Sequence, residues 1–92
     1  MRRIVLFRKK SQASEGDFRA AIAGLEVLDE KMSEMSTWWV SCNPGVADMW
    51  DAALVADFPD ADACKAYEVH PQHVAAAAVV GIVSEFAVFD SE

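Results

Sequence analysis

Basic residues are scarce in this chain, which carries eight Lys and Arg against fifteen Asp and Glu and has a formal net charge of −7. Such a charge repels phosphate backbones and anionic lipid surfaces, so neither nucleic acid nor a membrane is expected as a partner. The longest apolar run, Val74–Val83, is also far shorter than the ~20 residues that a membrane span needs. Because Arg2 and Arg3 precede only a short apolar stretch, we expect no signal peptide and a cytoplasmic protein.

Cysteine is limited to Cys42 and Cys64. They have neither the spacing of a metal site nor the density of a disulfide-stapled secreted domain, so we expect two free thiols. His70 and His73 together with a nearby aspartate offer metal-ligand atoms, but their spacing is not diagnostic of a metal site. The sequence therefore predicts no metal and no cofactor.

Hydrophobic residues, in contrast, make up 53% of the 92 residues. A chain of this length has room for one hydrophobic core, so we predict a single domain over residues 1–92. Small domains bury only about two-thirds of their extended-chain surface. The apolar surplus therefore favours a partner subunit that buries more of it.

Four runs rich in β-branched, aromatic or other apolar residues predict strands. They are Ile4–Phe7, Thr37–Cys42, Asp51–Phe58 and Glu85–Asp90. The second and third should form an antiparallel hairpin, with turn residues at Asn43-Pro44-Gly45 and a loop to about Met49 between them.

Three segments carry helix signals. Ser14 is placed as an N-cap, and the apolar residues after it recur every three or four positions as Phe18, Ile22, Leu25, Leu28 and Met32. Asp60 is the second N-cap. Proline disfavours helical geometry in the preceding residue, so this helix should end near Val69 and another should begin at Pro71. The last helix is apolar nearly all round, and we expect it in an interior.

The order strand, helix, two strands, broken helix, strand predicts an α+β fold, the ferredoxin-like βαββαβ sheet with helices on one face. The other face of such a sheet is left uncovered. Successive side chains of a strand point to opposite faces of the sheet. In Ile4–Phe7 and Phe86–Phe89 the residues for both faces are nonetheless apolar. We therefore expect a homodimer in which two copies pack their sheets together into an α/β barrel.

Tyr67 and the segment His70-Pro71-Gln72-His73-Val74 resemble the signature of the stress-responsive dimeric α/β-barrel (Dabb) family. The resemblance implies a dimeric α/β barrel with a cavity between sheet and helices, in a family where most members have no established activity. Some members are polyketide cyclases that use a tyrosine and a second histidine, which correspond to Tyr67 and His73. The family often has a histidine where this chain has Arg3, which cannot act as a base but could hold an anionic group.

The residues themselves suggest the same chemistry. Tyr67, His70 and His73 follow one another at intervals of three, so their side chains can gather on one side of the helical region. Histidine can accept a proton, and a tyrosine hydroxyl can donate to an oxygen that gains charge, as proton abstraction beside a carbonyl requires. We predict His73 and Tyr67 as catalytic residues of a cofactor-free cyclase, lyase or isomerase. The predicted ligand contacts are His70, Arg3, Trp38 and Trp39.

A structural interpretation stays open beside this one. In it, His70 only caps the helix break, while Tyr67 and His73 satisfy each other as buried polar groups. Trp38 and Trp39 should face opposite sides of their strand, one toward the helices and one toward the partner. The alternative functions are a non-enzymatic, stable stress-associated dimer and a cofactor-independent monooxygenase. An open cavity between sheet and helices favours a small carbonyl or polyketide-like ligand, whereas a filled core favours the non-enzymatic dimer.

Overall fold

The computed structural model describes residues 1–45 and 49–92, so part of the predicted loop up to Met49 lies outside the described residues. The elements, in chain order, are β1 Arg2–Lys9, α1 Glu15–Glu26, a 3-10 segment Val27–Glu30, β2 Thr37–Cys42, β3 Ala52–Asp57, α2 Ala61–Val69, α3 Pro71–Val83 and β4 Ser84–Ser91. The predicted ferredoxin-like order is confirmed. No helix in these two ranges is long and apolar enough to cross a membrane.

The strands form one antiparallel sheet in the order β2-β3-β1-β4. In β1, Val5 lies opposite Leu54 of β3 on one side and Val88 of β4 on the other. Because side chains alternate along a strand, Val5 and its neighbours in this row face the helices. Ile4 and its neighbours face the other side, which no element of the described chain covers.

The first helix begins at the predicted N-cap but is shorter than predicted. The Ser14 hydroxyl accepts a hydrogen bond of 3.0 Å from the Asp17 amide, which satisfies one of the free amides at the helix start. Every residue of the predicted stripe is buried, namely Phe18, Ile22, Leu25, Leu28 and Met32. The α-helix itself ends at Glu26, so Leu28 lies in the 3-10 segment and Met32 beyond it.

The break between α2 and α3 is also confirmed. Asp60 caps α2, and its carboxylate accepts from the Ala63 amide at 2.8 Å. His70 has extended backbone angles, as a residue before proline should. Its Nδ1 accepts from the Gln72 amide at 3.1 Å, so the imidazole caps α3, which begins at Pro71.

The expected interior position of α3 is wrong for the single chain. Only Val80 and Val83 of this helix are buried, while Val74, Val79 and Ile82 are each more than half exposed. The physical reason is that α3 lies at the outer edge of a single helix layer, where one side meets the protein and the other meets solvent. Apolar residues on all sides of a helix therefore do not show that this helix is buried.

Candidate functional site

A cavity of about 310 Å³ lies between the inner face of the sheet and the helices α2 and α3, at the lower end of the size range of small-molecule pockets. Its walls are mostly apolar, and its polar groups lie on Arg3, Tyr67, Glu68 and His73. The apolar lining residues are Val5, Phe7, Leu25, Leu54, Ala77, Val80, Phe86 and Val88. The space between sheet and helices is therefore open, not filled by side chains.

Tyr67 is held by aromatic neighbours. The centroid of its ring is 5.1 Å from that of Phe58, 5.8 Å from that of Trp38 and 4.1 Å from that of His73. The residue is only 3% exposed. Its hydroxyl takes part in none of the hydrogen bonds found among the described residues. These residues also contain no fully buried side-chain oxygen or nitrogen without a partner, and Tyr67 is part of the cavity lining.

The protonation state of Tyr67 follows from this burial. Burial raises the pKa of the phenol above its usual value, and the nearby positive charge of Arg3 offsets only part of that rise. The hydroxyl therefore stays neutral and can donate a hydrogen bond at any working pH.

His73 is half-buried beside Tyr67. Its Nδ1 lies 3.0 Å from the backbone carbonyl oxygen of Glu68. Because a carbonyl oxygen only accepts, this hydrogen bond requires the proton on Nδ1. In the neutral ring Nε2 is then the proton acceptor, which is the arrangement that a general base needs.

Arg3 forms an ion cluster at the polar end of the cavity. Its Nε and Nη2 donate to the two carboxylate oxygens of Asp90 at 2.8 and 3.0 Å, and its Nη1 lies 3.5 Å from a carboxylate oxygen of Glu68. The hydrogen bonds with Asp90 raise the pKa of Arg3, and they lower the pKa of the Asp90 carboxyl. Arg3 is therefore a permanent cation, and two of its N–H donors form a bidentate pair with Asp90.

The structure brings together Arg3, Tyr67 and His73 of the predicted site. His70 does not line the cavity, and its Nδ1 serves the helix cap. Trp38 lies behind Tyr67 and donates its indole N–H to the Leu25 carbonyl at 3.0 Å. The ring contact between Tyr67 and His73 involves no hydrogen bond among the described residues, so these two groups do not satisfy each other.

Trp39 lies on the other side of the sheet from Trp38, as expected, and is 52% exposed there. It belongs to a separate shallow pocket with Leu6 and Trp50, so it cannot touch a ligand in the cavity between sheet and helices. Cys42 and Cys64 are free. Within residues 1–45 and 49–92, no group of three His, Cys, Asp or Glu side chains is placed to hold a metal ion.

Sequence reasoning missed Glu68, Asp90 and the apolar wall from β4. Asp90 lies directly opposite Arg3 in the register of β1 with β4. The sequence does contain a signal for this pair. Arg3 lies near the start of the first strand and Asp90 near the end of the last strand, and antiparallel pairing brings these two ends together. Glu68 follows Tyr67 directly, and only the position of α2 over the sheet shows that its carboxylate meets Arg3.

An antiparallel sheet with helices on one face and a cavity between the two layers defines a ferredoxin-like α+β domain. The family model for the stress responsive A/B barrel domain (Dabb) matches residues 1–92. The chain belongs to this family. The family recognised from its sequence motif is thereby confirmed.

Solved structures with the same fold include a dimeric protein of unknown function from Bacteroides fragilis. It is 27% identical, with 99% of this chain and 93% of that chain covered, at a TM-score of 0.84. A hydroxynitrile lyase from Passiflora edulis is 22% identical over 99% and 94% of the two chains, at a TM-score of 0.74. SnoaB, a cofactor-independent oxygenase from Streptomyces nogalater, is 14% identical over 99% and 91%, at 0.71. At these identities, the similarity to the lyase and the oxygenase shows a common fold and nothing about activity. A search of curated proteins found no significant match.

Proposed function

We propose that this domain binds a small, largely apolar carbonyl or polyketide-like compound in the cavity, and that Tyr67 and His73 transfer a proton on it without a cofactor. One observation carries the proposal. The Tyr67 hydroxyl makes no hydrogen bond to the described residues, and Tyr67 lines an apolar cavity of about 310 Å³ with the imidazole of His73 at a centroid distance of 4.1 Å.

The chemistry divides between the two side chains. Tyr67 donates its hydroxyl hydrogen to the carbonyl oxygen of the ligand, while Nε2 of His73 removes a proton from the neighbouring carbon. The electron pair of the broken C–H bond moves into the C–C bond, and the negative charge that develops on oxygen is stabilised by the hydrogen bond from Tyr67. The imidazolium then returns the proton to the product. The apolar walls strengthen this hydrogen bond because they exclude water.

The open cavity supports this proposal over the alternative of a non-enzymatic dimer with a filled core. A hydroxynitrile lyase and a cofactor-independent oxygenase share the fold, so this architecture accommodates enzymes. The oxygenase function remains a weaker candidate, and oxygen consumption with a polyphenol would favour it over proton transfer.

We also propose that the protein is a cytoplasmic homodimer of this one domain, with the open face of the sheet as its interface. Two large apolar side chains on that face, Trp39 and Phe89, are 52% and 63% exposed. The half-buried Ile4, Leu6 and Val55 lie between them. The similar protein from Bacteroides fragilis is described as dimeric. The cytoplasmic location rests on the two free thiols.

The exchange of the methyl hydrogens of acetophenone for deuterium in D₂O, followed by NMR, tests the proton transfer directly. The wild-type protein should accelerate this exchange, and Tyr67→Phe and His73→Ala should each lose most of the acceleration. Neither change should lower the stability by more than about 1 kcal/mol, because the Tyr67 hydroxyl makes no hydrogen bond to the described residues and His73 makes one partly exposed hydrogen bond.

His70→Ala is the matched control. It removes an imidazole three residues from His73 that does not line the cavity, so exchange should persist while the lost cap costs about 1 kcal/mol. Exchange no faster than with free imidazole would contradict the proposal. A loss of about 1–3 kcal/mol in both Tyr67→Phe and His73→Ala, with no effect of the ligand on the melting temperature, would assign these residues a structural role.

A further inference from the structure

The polar end of the cavity has an excess of negative charge. Among the described residues that line the cavity, Arg3 and Glu68 carry the formal charges, and Asp90 lies against the other side of the Arg3 guanidinium. One cation thus faces two carboxylates. With neutral imidazole on His73, the charge at this end sums to one negative unit.

The geometry shows why Arg3 is a poor receptor for an anion. A guanidinium binds a carboxylate best through two parallel N–H donors, and in this chain Nε and Nη2 already donate to both oxygens of Asp90. The remaining nitrogen, Nη1, lies 3.5 Å from the Glu68 carboxylate. This contact is not a hydrogen bond, but an incoming anion would compete with both carboxylates for the Arg3 guanidinium.

An anionic ligand that reaches this end of the cavity meets a net charge of one negative unit, because two carboxylates outnumber the one guanidinium there. Like charges placed together at a binding surface lower affinity for the wrong partner. An uncharged carbonyl compound meets no such repulsion, and its oxygen still receives the hydrogen bond from Tyr67.

We propose that Glu68 and Asp90 are specificity-determining residues, which make the cavity bind uncharged carbonyl ligands and reject carboxylates of the same shape. This inference rests on the proposed ligand-binding cavity and adds the charge of the ligand to it. Arg3 serves as the bridge that holds the two carboxylates at the polar end.

Two probes of nearly identical shape test the charge preference, 2-naphthamide and 2-naphthoate. Their dissociation constants are measured by calorimetry with the full chain at pH 8, where an ordinary imidazole is largely neutral. The wild-type protein should bind the amide at least about tenfold more tightly than the carboxylate. In Glu68→Gln and in Asp90→Asn, affinity for the carboxylate should rise about tenfold while affinity for the amide stays within about twofold.

Glu30→Gln is the control. It changes the net charge by the same amount at an exposed position that does not line the cavity, so it should leave both dissociation constants unchanged. Glu68→Gln is the milder of the two test variants, because Glu68 lies 3.5 Å from Arg3 whereas Asp90 accepts two hydrogen bonds from it.

The outcomes separate this inference from the proposed function. Equal binding of both probes by the wild type, or tighter binding of the carboxylate, would overturn the charge preference and leave the ligand-binding cavity in place. An equal gain in Glu30→Gln would assign the preference to overall charge and also overturn it. Binding of neither probe by any of the proteins would overturn the ligand-binding cavity, and the charge preference with it.

Discussion

β3 and β4 both pair antiparallel with β1, one on each side, yet their surroundings differ. Every inward-facing side chain of β3 is buried, namely Ala52, Leu54 and Ala56. β4 buries only Ser84, its first residue, while Phe86 and Val88 at inward-facing positions are at least half exposed. The sheet thus has a covered half and an open half.

The helix layer explains this difference. α1 packs on β2 and against α3, while α3 makes only sparse contact with β4. The layer therefore stops short of the last strand, and the space that it leaves is the cavity. The covered half of the sheet supplies the stable core, and the β4 half supplies the candidate site on its inner side. The proposed dimer interface extends over the outer side of both halves, from Trp39 of β2 to Phe89 of β4.

The largest expected effect is on dimer formation, and it distinguishes the two sides of β4. Phe89 and Phe86 are similarly exposed, at 63% and 59%, but Phe89 faces away from the helices and Phe86 toward the cavity. Phe89→Asp should dissociate the dimer at micromolar concentration, with a loss of about 3 kcal/mol or more, because a charge without a partner would be buried in the interface. Phe86→Asp should remain dimeric.

Sedimentation velocity distinguishes these outcomes. A dimeric Phe89→Asp together with a monomeric Phe86→Asp would place the interface on the cavity side. A monomeric wild-type protein would refute the proposed homodimer altogether.

Much of the fold could be predicted because its signals are local. The Thr37–Cys42 strand has the predicted bounds, and Ser14, Asp60 and Pro71 mark helix starts where capping chemistry places them. The exposure of α3 could not be predicted, because the apolar pattern of a helix does not tell how far the surrounding layer extends.

The candidate site shows the same division. Tyr67 and His73 are six positions apart and belong to one recognisable motif, so sequence alone brings them together. The pairing of Arg3 with Asp90 spans 87 positions and depends on the register of two strands. A shift of that register by one residue would turn one of the two side chains to the other face, and no local pattern in the sequence excludes it.

A second prediction compares one alanine from each half. Ala21 of α1 is 3% exposed in the core, whereas Ala77 of α3 lines the cavity. Ala21→Phe should lower the free energy of unfolding by about 1–3 kcal/mol, because a packed core has no room for a ring. Ala77→Phe should change it by less than about 1 kcal/mol and should abolish binding of 2-naphthamide, because the added ring occupies the cavity.

Urea unfolding and calorimetry measure the two effects. If Ala77→Phe is as destabilising as Ala21→Phe, the β4 half is as tightly packed as the covered half. Undiminished binding of the amide by Ala77→Phe would mean that the ligand lies elsewhere.

The smallest expected effect concerns two matched ion pairs, one to each neighbour of β1. Arg2 pairs with Asp57 of β3, and Arg3 pairs with Asp90 of β4, each through two hydrogen bonds of 2.8 and 3.0 Å. Hydrogen bonds from the arginines lower the pKa of both carboxyl groups. The stabilisation from each pair is therefore present above the usual aspartate pKa of about 3.9 and is lost as pH falls through the lowered value.

Thermal melts from pH 7 down to about pH 2 should show this loss for both pairs, and more strongly for the pair of β4. The side chains of Arg3 and Asp90 are 16% and 40% exposed, and those of Arg2 and Asp57 are 54% and 24% exposed. The Asp90 pair is thus less exposed as a whole, and water screens it less. Asp90→Asn should lower the melting temperature by about 2–5 °C at pH 7, and Asp57→Asn should lower it less. Both differences from wild type should shrink as the pH falls through the lowered pKa values, where the native carboxyl groups become protonated. A larger effect of Asp57→Asn would show that the covered half depends more on its ion pair than the open half does.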